Sequence, residues 1–276
     1  MNADDFGYSS AINTAVIRAH RQGVLTSASL MVAGDAAREA VELAREMPSL
    51  AVGLHLVIAG GRACLPPGDI PRLVDEQGRF PDEPFRLGLR YFFNRRVQEE
   101  LRRELAAQFE RFAATGLPLS HVDGHLHMHM HPTVFRLILP LATQYGAHGL
   151  RIVRDDLWLG LGYDRGRAGI KIAWALIFGL LSRWCLGRLG ATGLVVADRT
   201  YGLMQSGHMQ EAYVTRVLRR LNVPVAELYF HPSVEATGDA WGPGRDDLDT
   251  LLSPGVRQVI QERGLRLATY AMLRKV

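Results

Sequence analysis

Short, almost continuously apolar runs alternate with amphipathic stretches along the whole chain, and this alternation restricts the fold more than any other feature. The runs 25-LTSASLMVAG-34, 50-LAVGLHLVI-58, 118-PLSHVDGH-125, 149-GLRIVRD-155, 193-GLVVADR-199, 225-VAELYFHP-232 and 265-LRLATYA-271 read as strands covered on both sides. Residues 9–23, opened by serines, put Ile12, Ala15, Val16 and Ala19 on one helical face and stop at Gly23. Asp35 caps a helix over 36–47 that Pro48 ends, and 96–116 is the clearest amphipathic helix. Further helices fall between Pro132 and Tyr145, near 208–221 and near 247–263, while 60–90 reads as a Pro/Gly-rich connection. Strand and helix in turn, with no internal boundary, predict an α/β fold of parallel units. At 276 residues a single-domain (β/α) barrel spanning 1–276 is favoured over an open sheet.

Composition removes several function classes. Forty-seven per cent hydrophobic and 22% charged residues are globular values, and a net charge of +4 comes without a Lys/Arg run of the nucleic-acid kind. Cys64 and Cys185 stand too far apart in sequence for a zinc-ribbon spacing, which fits a reducing compartment. The opening MNADDFG lacks a basic segment followed by an apolar one, so a cytoplasmic address is expected.

In such a fold, chemistry collects where strands end at their carboxyl side. Asp4, Asp5, His55, Asp123, His125, Arg154 and His231 all sit late in or just after strand-like runs, which gathers carboxylates, imidazoles and a guanidinium on one rim. Any one of them taken singly reads equally well as a satisfied structural residue. In 120-SHVDGHLHMHMHP-132, alternate positions carry His121, Asp123, His125, His127, His129 and His131. In an extended strand they share a face, but at ~3.3 Å per residue the outer pair lie about 33 Å apart. One ion therefore uses two or three at most. His129 and His131 are expected in the turn before Pro132 as structural residues, and His121 as a packing or supporting one. Asp4 and Asp5 reach one site only if their strand is ending there, as Phe6-Gly7 indicates.

The segments 2-NADDFGYS-9, 24-VLTSASLMV-32, 53-GLHL-56 and 121-HVDGHLHMH-129, echoed by 150-LRIVR-154 and 231-HP-232, resemble the YdjC-type carbohydrate deacetylases over nearly the whole chain. The resemblance implies a deformed (β/α) TIM-like barrel that removes acetyl groups from N-acetylated sugars with one divalent metal. By position, Asp5, His55 and His125 match the metal ligands, Asp4 the catalytic base, and His231 the histidine beside the leaving group. Asp123 and His127 are then expected to orient His125, and Arg154 to help stabilise the oxyanion. Zinc or magnesium leads, and manganese, cobalt or nickel suit the same donors. Within the family the chain most resembles the hopanoid-biosynthesis-associated branch, which implies an N-acetylglucosaminyl lipid as substrate, with a homodimer among the assemblies left open.

Two departures stand out. Relatives carry an apolar strand before NADD, whereas Met1 directly precedes Asn2 here, so the first strand is expected to fall short of its neighbours. Segment 155–190 holds Trp158, Trp174 and Trp184, and 151–190 contains seven Lys/Arg against three Asp. Its uninterrupted apolar core, Ile172 to Leu181, is ten residues, short of the ~20 that span a bilayer. It is either a buried barrel helix or an inserted lid that touches membrane. In the second case Trp158, Trp174, Ile177, Phe178 and Trp184 are the lipid-facing candidates, and Arg165, Arg167, Lys171, Arg183 and Arg188 attract anionic headgroups. A deacetylase of soluble oligosaccharides is the sibling expectation, and a non-catalytic metal- or sugar-binding barrel the third.

Overall fold

A computed structural model describes residues 1–235 and 243–273. Strands β1 (Asn2–Phe6), β2 (Ser27–Leu30), β3 (Ala51–Leu56), β4 (His121–Gly124), β5 (Gly149–Leu150), β6 (Arg199–Tyr201) and β7 (Ala226–Phe230) form one parallel sheet in the order β5-β4-β3-β2-β1-β7-β6. The helices between them are α1 (Ser10–Gln22), α2 (Ala37–Arg45), α3 (Pro84–Phe93), α4 (Arg95–Ala113), α5 (Pro132–Gln144), α6 (Leu157–Tyr163), α7 (Ala168–Leu189) and α8 (Glu211–Arg220), with α9 (Arg245–Leu252) and α10 (Pro254–Glu262) after β7. The sheet curls into a half-barrel, so the barrel expectation holds at that coarser level. The segment entering β6 meets β5: Leu150 N–H donates to the Val195 carbonyl and Val195 N–H to that of His148, both at 2.9 Å.

Strand alternation sorts the two faces of this sheet. Ala3, Ala28, Leu30, Val52, Leu54, Leu56, Val122, Leu228 and Phe230 are buried in the apolar core with the helices. The intervening Asn2, Asp4, Ser29, His55, His121, Asp123, Glu227 and Tyr229 are equally buried. Their mutual hydrogen bonds place them together on the concave face. The half-barrel thus encloses a polar interior, and the site is built there.

Several element boundaries differ from expectation. β1 does not fall short: Asn2-Ala3-Asp4-Asp5-Phe6 is itself the strand, paired with Ser27 and Ala28 on one side and Tyr229 and Phe230 on the other. β6 begins at Arg199 rather than 193. Residues 265–271 form no strand but a loop and a 3-10 turn, Tyr270–Met272, whose Tyr270 ring stacks on His121 at 5.1 Å. Helix α3 lies inside the stretch read as a connection. The single helix expected over 247–263 is two, because Ser253 accepts from Gly255 and Val256 and restarts the chain as α10 with Pro254 in the first turn.

Gly53 faces the inner side, where an added Cβ would stand 2.5 Å from Cε1 of His121. That ring is fixed by Ser29 Oγ at 3.0 Å and by its Tyr270 stack. Gly53→Ala is therefore expected to lose about 1–3 kcal/mol of stability through overpacking. The denaturant midpoint measures it, and an unchanged midpoint would mean that the His121 ring relocates freely.

Candidate active site

Two neighbouring aspartates of β1 open the site. A regular strand would send them to opposite faces, yet both line one pocket of about 710 Å³. The expectation was a strand ending; the structure instead bulges it. The β1–β2 register shifts between Ala3 and Phe6, and Asp5 takes φ 62°, a left-handed conformation that a non-glycine residue adopts only under constraint.

His55 comes from the end of β3, and His125 opens the 3-10 turn His125–Met130 that follows β4. Leu126 and His127 are also left-handed there, at φ 53° and 54°. This turn disperses the histidine run. Asp5 Oδ1 stands 3.3 Å from His55 Nε2 and 3.1 Å from His125 Nδ1. His129 is buried against the Arg151 carbonyl at 2.9 Å, and burial pushes its ring down to about 4. His131 precedes Pro132 beside Tyr91 and Phe92. His121 reaches Ser29 inside the sheet. His127 lines the pocket but pairs with the Tyr229 hydroxyl at 2.9 Å, not with His125.

Asp123 likewise supports a different partner from the one expected: its Oδ1 lies 2.8 Å from His55 Nδ1. Burial alone would push the His55 ring down, but the Asp123 charge and hydrogen bond, with Asp5 and Asp4, hold it up at about 10. Burial also opposes ionisation of Asp5, yet His125 and His55 hold its carboxyl well below the usual range.

The arginine of this centre is Arg151, a residue sequence reasoning passed over in favour of Arg154. Arg151 has no exposed surface. Its Nη1 and Nη2 donate to Asp4 Oδ2 and Oδ1 at 2.7 and 2.8 Å, Nη2 reaches Asp123 Oδ2 at 2.9 Å, and Nε donates to Glu227 Oε1 at 3.1 Å. Tyr270 donates to the other Glu227 oxygen at 2.8 Å. The signal was present in GLRIV, since a lone arginine in an apolar strand run demands buried carboxylates. Arg154 lines a separate cavity. His231 does line the pocket, with Nε2 3.9 Å from Asp4 Oδ2 and a buried Nδ1 that has no partner among the described residues.

Asp5, His55 and His125 suit a cation. Their ligand atoms lie within 4.8 Å of one another, and ligand atoms about 2.1 Å from one ion at the tetrahedral angle stand roughly 3.4 Å apart. The overlapping set Asp4, His55 and Asp123 fits poorly, because Arg151 already occupies both of its carboxylates. Asp123 fixes the His55 ring so that Nε2 faces Asp5.

Coordination through His55 Nε2 needs the neutral ring, so ion uptake at pH 7 is expected to release about one proton. Titration calorimetry of zinc in buffers of different ionisation enthalpy reads this directly, and buffer-independent heats would exclude His55. The same raised value means that, without metal, His55 stabilises the fold fully below 6.5 and loses that contribution as the pH rises through about 10. Arg151→Met should cost about 3–5 kcal/mol, since it strands three buried carboxylates. A denaturant midpoint within error of the parent would show that water reaches and solvates them.

A profile of the YdjC-like protein family matches residues 1–262. A carbohydrate deacetylase of Brevibacillus brevis is 33% identical over 278 residues, covering 99% of this chain and 98% of its own length. A chitooligosaccharide deacetylase of Serratia marcescens is 30% identical over 281 residues, covering 98% and 96%. Among solved structures, an Enterococcus faecalis protein described as a candidate cellobiose-phosphate cleavage protein has a TM-score of 0.76 at 26% identity, over 99% of this chain and 97% of that one. Matched along almost its full length, with the aspartates and histidines of the matched segments gathered in one pocket, the chain belongs to the YdjC-like family.

Proposed function

We propose that this chain is a metal-dependent hydrolase of the acetamide in N-acetylated sugars. The observation that carries the reading is the convergence of Asp4, Asp5, His55, His125 and His231 on one pocket, supported by full-length relatives named as carbohydrate deacetylases. Asp5, His55 and His125 hold the ion. When bound, a divalent ion, zinc or magnesium before manganese, cobalt or nickel, supplies Lewis-acid polarisation of the acetamide carbonyl and of the attacking water.

Asp4 is the base. Its Oδ1 accepts from Arg151 and Asn2, whereas Oδ2 accepts from Arg151 alone, so Oδ2 keeps an open position for the water proton. Arg151 holds that carboxylate in one orientation. His231 gives a proton to the departing amine from the same side of the pocket. Asp4→Asn should retain the ion and lose roughly 10²–10⁴-fold in turnover. Elemental analysis with acetate-release assays reads both, and a normally active variant would remove Asp4 from the mechanism.

The finer reading is a lipid-linked N-acetylglucosamine of the hopanoid kind, met by a peripheral enzyme on the inner face of the cytoplasmic membrane. Helix α7 supports it. Its 22 residues are long and apolar enough to cross a membrane by length and composition, and only Lys171, Ser182 and Cys185 of them are buried. The candidates divide: Trp158 is 80% exposed and Ile177 points outward with Leu176 and Leu180, whereas Trp174 and Phe178 line the pocket. Trp184 packs on Phe135 under Arg136 and Arg188. Exposed Phe85 and Phe93 of α3 add apolar surface, and Pro84, which starts α3, lines the same pocket. A soluble oligosaccharide is the second reading, favoured by the relative named for chitooligosaccharides. Replacing Ile177 and Leu180 with serine should weaken liposome co-sedimentation and lower activity on the lipid substrate while sparing a soluble acetylated sugar. Unchanged activity on both would favour the soluble substrate.

A further inference from the structure

A second cavity, of about 270 Å³, adjoins the active pocket, and Phe178 and Leu203 line both. Three guanidiniums face it from three places in the fold: Arg154 after β5, Arg183 on α7 and Arg199 at the start of β6. Among the described residues none of the three side chains has a hydrogen-bonding or ion-pair partner, in contrast to the fully engaged Arg151. The one acid in the lining cannot balance three guanidiniums and pairs with none of them. Asp155 Oδ2 accepts from Gly202 and Met204 amides at 3.1 and 2.9 Å, and Oδ1 from the Asp156 amide at 2.7 Å. Ser182 spends its proton on the Gly179 carbonyl.

We propose that this cavity is a binding site for a phosphate ester. Three guanidiniums against one carboxylate leave this small concave space with an excess of positive charge, which raises the local potential for an anion. A carboxylate offers two oxygens and is satisfied by a single guanidinium fork. A phosphate offers at least three oxygens and up to two charges, so it can engage three forks at once. The volume falls just below the ~300 Å³ at which pockets begin to take drug-sized ligands, which suits a headgroup rather than a chain of residues or nucleotides. Ala175, Phe178, Leu186 and Met204 complete the wall and give the organic side of the ester an apolar bed. The phosphate can belong to a phospholipid headgroup, whose acyl chains would lie along the exposed face of α7, or to a soluble phosphate ester. This inference stands apart from the deacetylation reading, because it needs no turnover to test.

Calorimetric titration of the full-length protein with inorganic phosphate and with dihexanoylphosphatidic acid tests it. Both should bind, and Arg183→Gln, made at an exposed position that the fold tolerates, should weaken both by at least about tenfold. Arg199→Gln should do the same, and lysine at either position should recover part of the loss by retaining the charge. Phosphatidic acid binding about tenfold tighter than phosphate assigns the lipid source, and equal affinities assign the soluble ester. Absence of binding by the parent protein, or affinities unchanged in both glutamine variants, would overturn the site.

Discussion

A single buried guanidinium organises the interior of this half-barrel. Arg151 touches Asp4, Asp123 and Glu227, which come from three different strands, and each contact fixes a carboxylate that has a second task. Asp4 points its remaining lone pair into the pocket, Asp123 aligns the His55 ring, and Glu227 receives the Tyr270 hydroxyl that closes the end of the chain over the sheet. Three carboxylates surround one guanidinium, and Asp5, paired instead with His55 and His125, is a fourth acid beside them. The candidate ligand group of Asp5, His55 and His125 centres on the one aspartate of this cluster that Arg151 does not touch.

Backbone strain lies beside this charge cluster. Three of the four left-handed non-glycine residues among those described, Asp5, Leu126 and His127, stand within or next to the candidate ligand set, and each costs on the order of 1–3 kcal/mol. What the strain achieves is geometric. At Asp5 it turns two consecutive carboxylates into one pocket, and at Leu126-His127 it bends the turn that follows β4. Had β4 continued, the alternate histidines would have stayed on one face, strung along the sheet.

Much of this arrangement was readable in the sequence through alternation. The triplets Asn2-Ala3-Asp4, Ser27-Ala28-Ser29, Gly53-Leu54-His55, His121-Val122-Asp123 and Glu227-Leu228-Tyr229 each place a small or apolar residue between two inward positions. Asp4, Asp5, His55, His125 and His231, expected on one rim from residue type and strand-end position, do line one pocket. Arg151 was missed because Arg154 ends the same apolar run and is the better rim candidate on position alone. Only the tertiary pairing with Asp4 from β1 and Glu227 from β7 tells them apart. The bulge at Asp5 was equally hidden, since left-handed φ leaves no mark on the residue type. Residues 265–271 failed as a strand for the converse reason: their apolar pattern serves packing of Tyr270 on His121.

Helix α7 poses a different physical problem. A helix apolar around its whole circumference is ordinarily buried, yet here one side packs against the core and the other is exposed. Lys171 is tied to Asp164 by its Nζ at 2.7 Å, Ser182 turns inward, and Cys185 packs against the Met130 carbonyl. These contacts fix the helix along one line and leave Leu176, Ile177 and Leu180 in solvent. The same helix supplies Trp174 and Phe178 to the active pocket. An α-helix with its side chains is only about 10–12 Å across, so whatever covers the outer face lies within one helix diameter of the residues that line the pocket. Covering that face recovers about 25 cal/mol for each Å² of apolar surface withdrawn from water. One helix position therefore sets both the wall of the pocket and the apolar outer face that lies behind it.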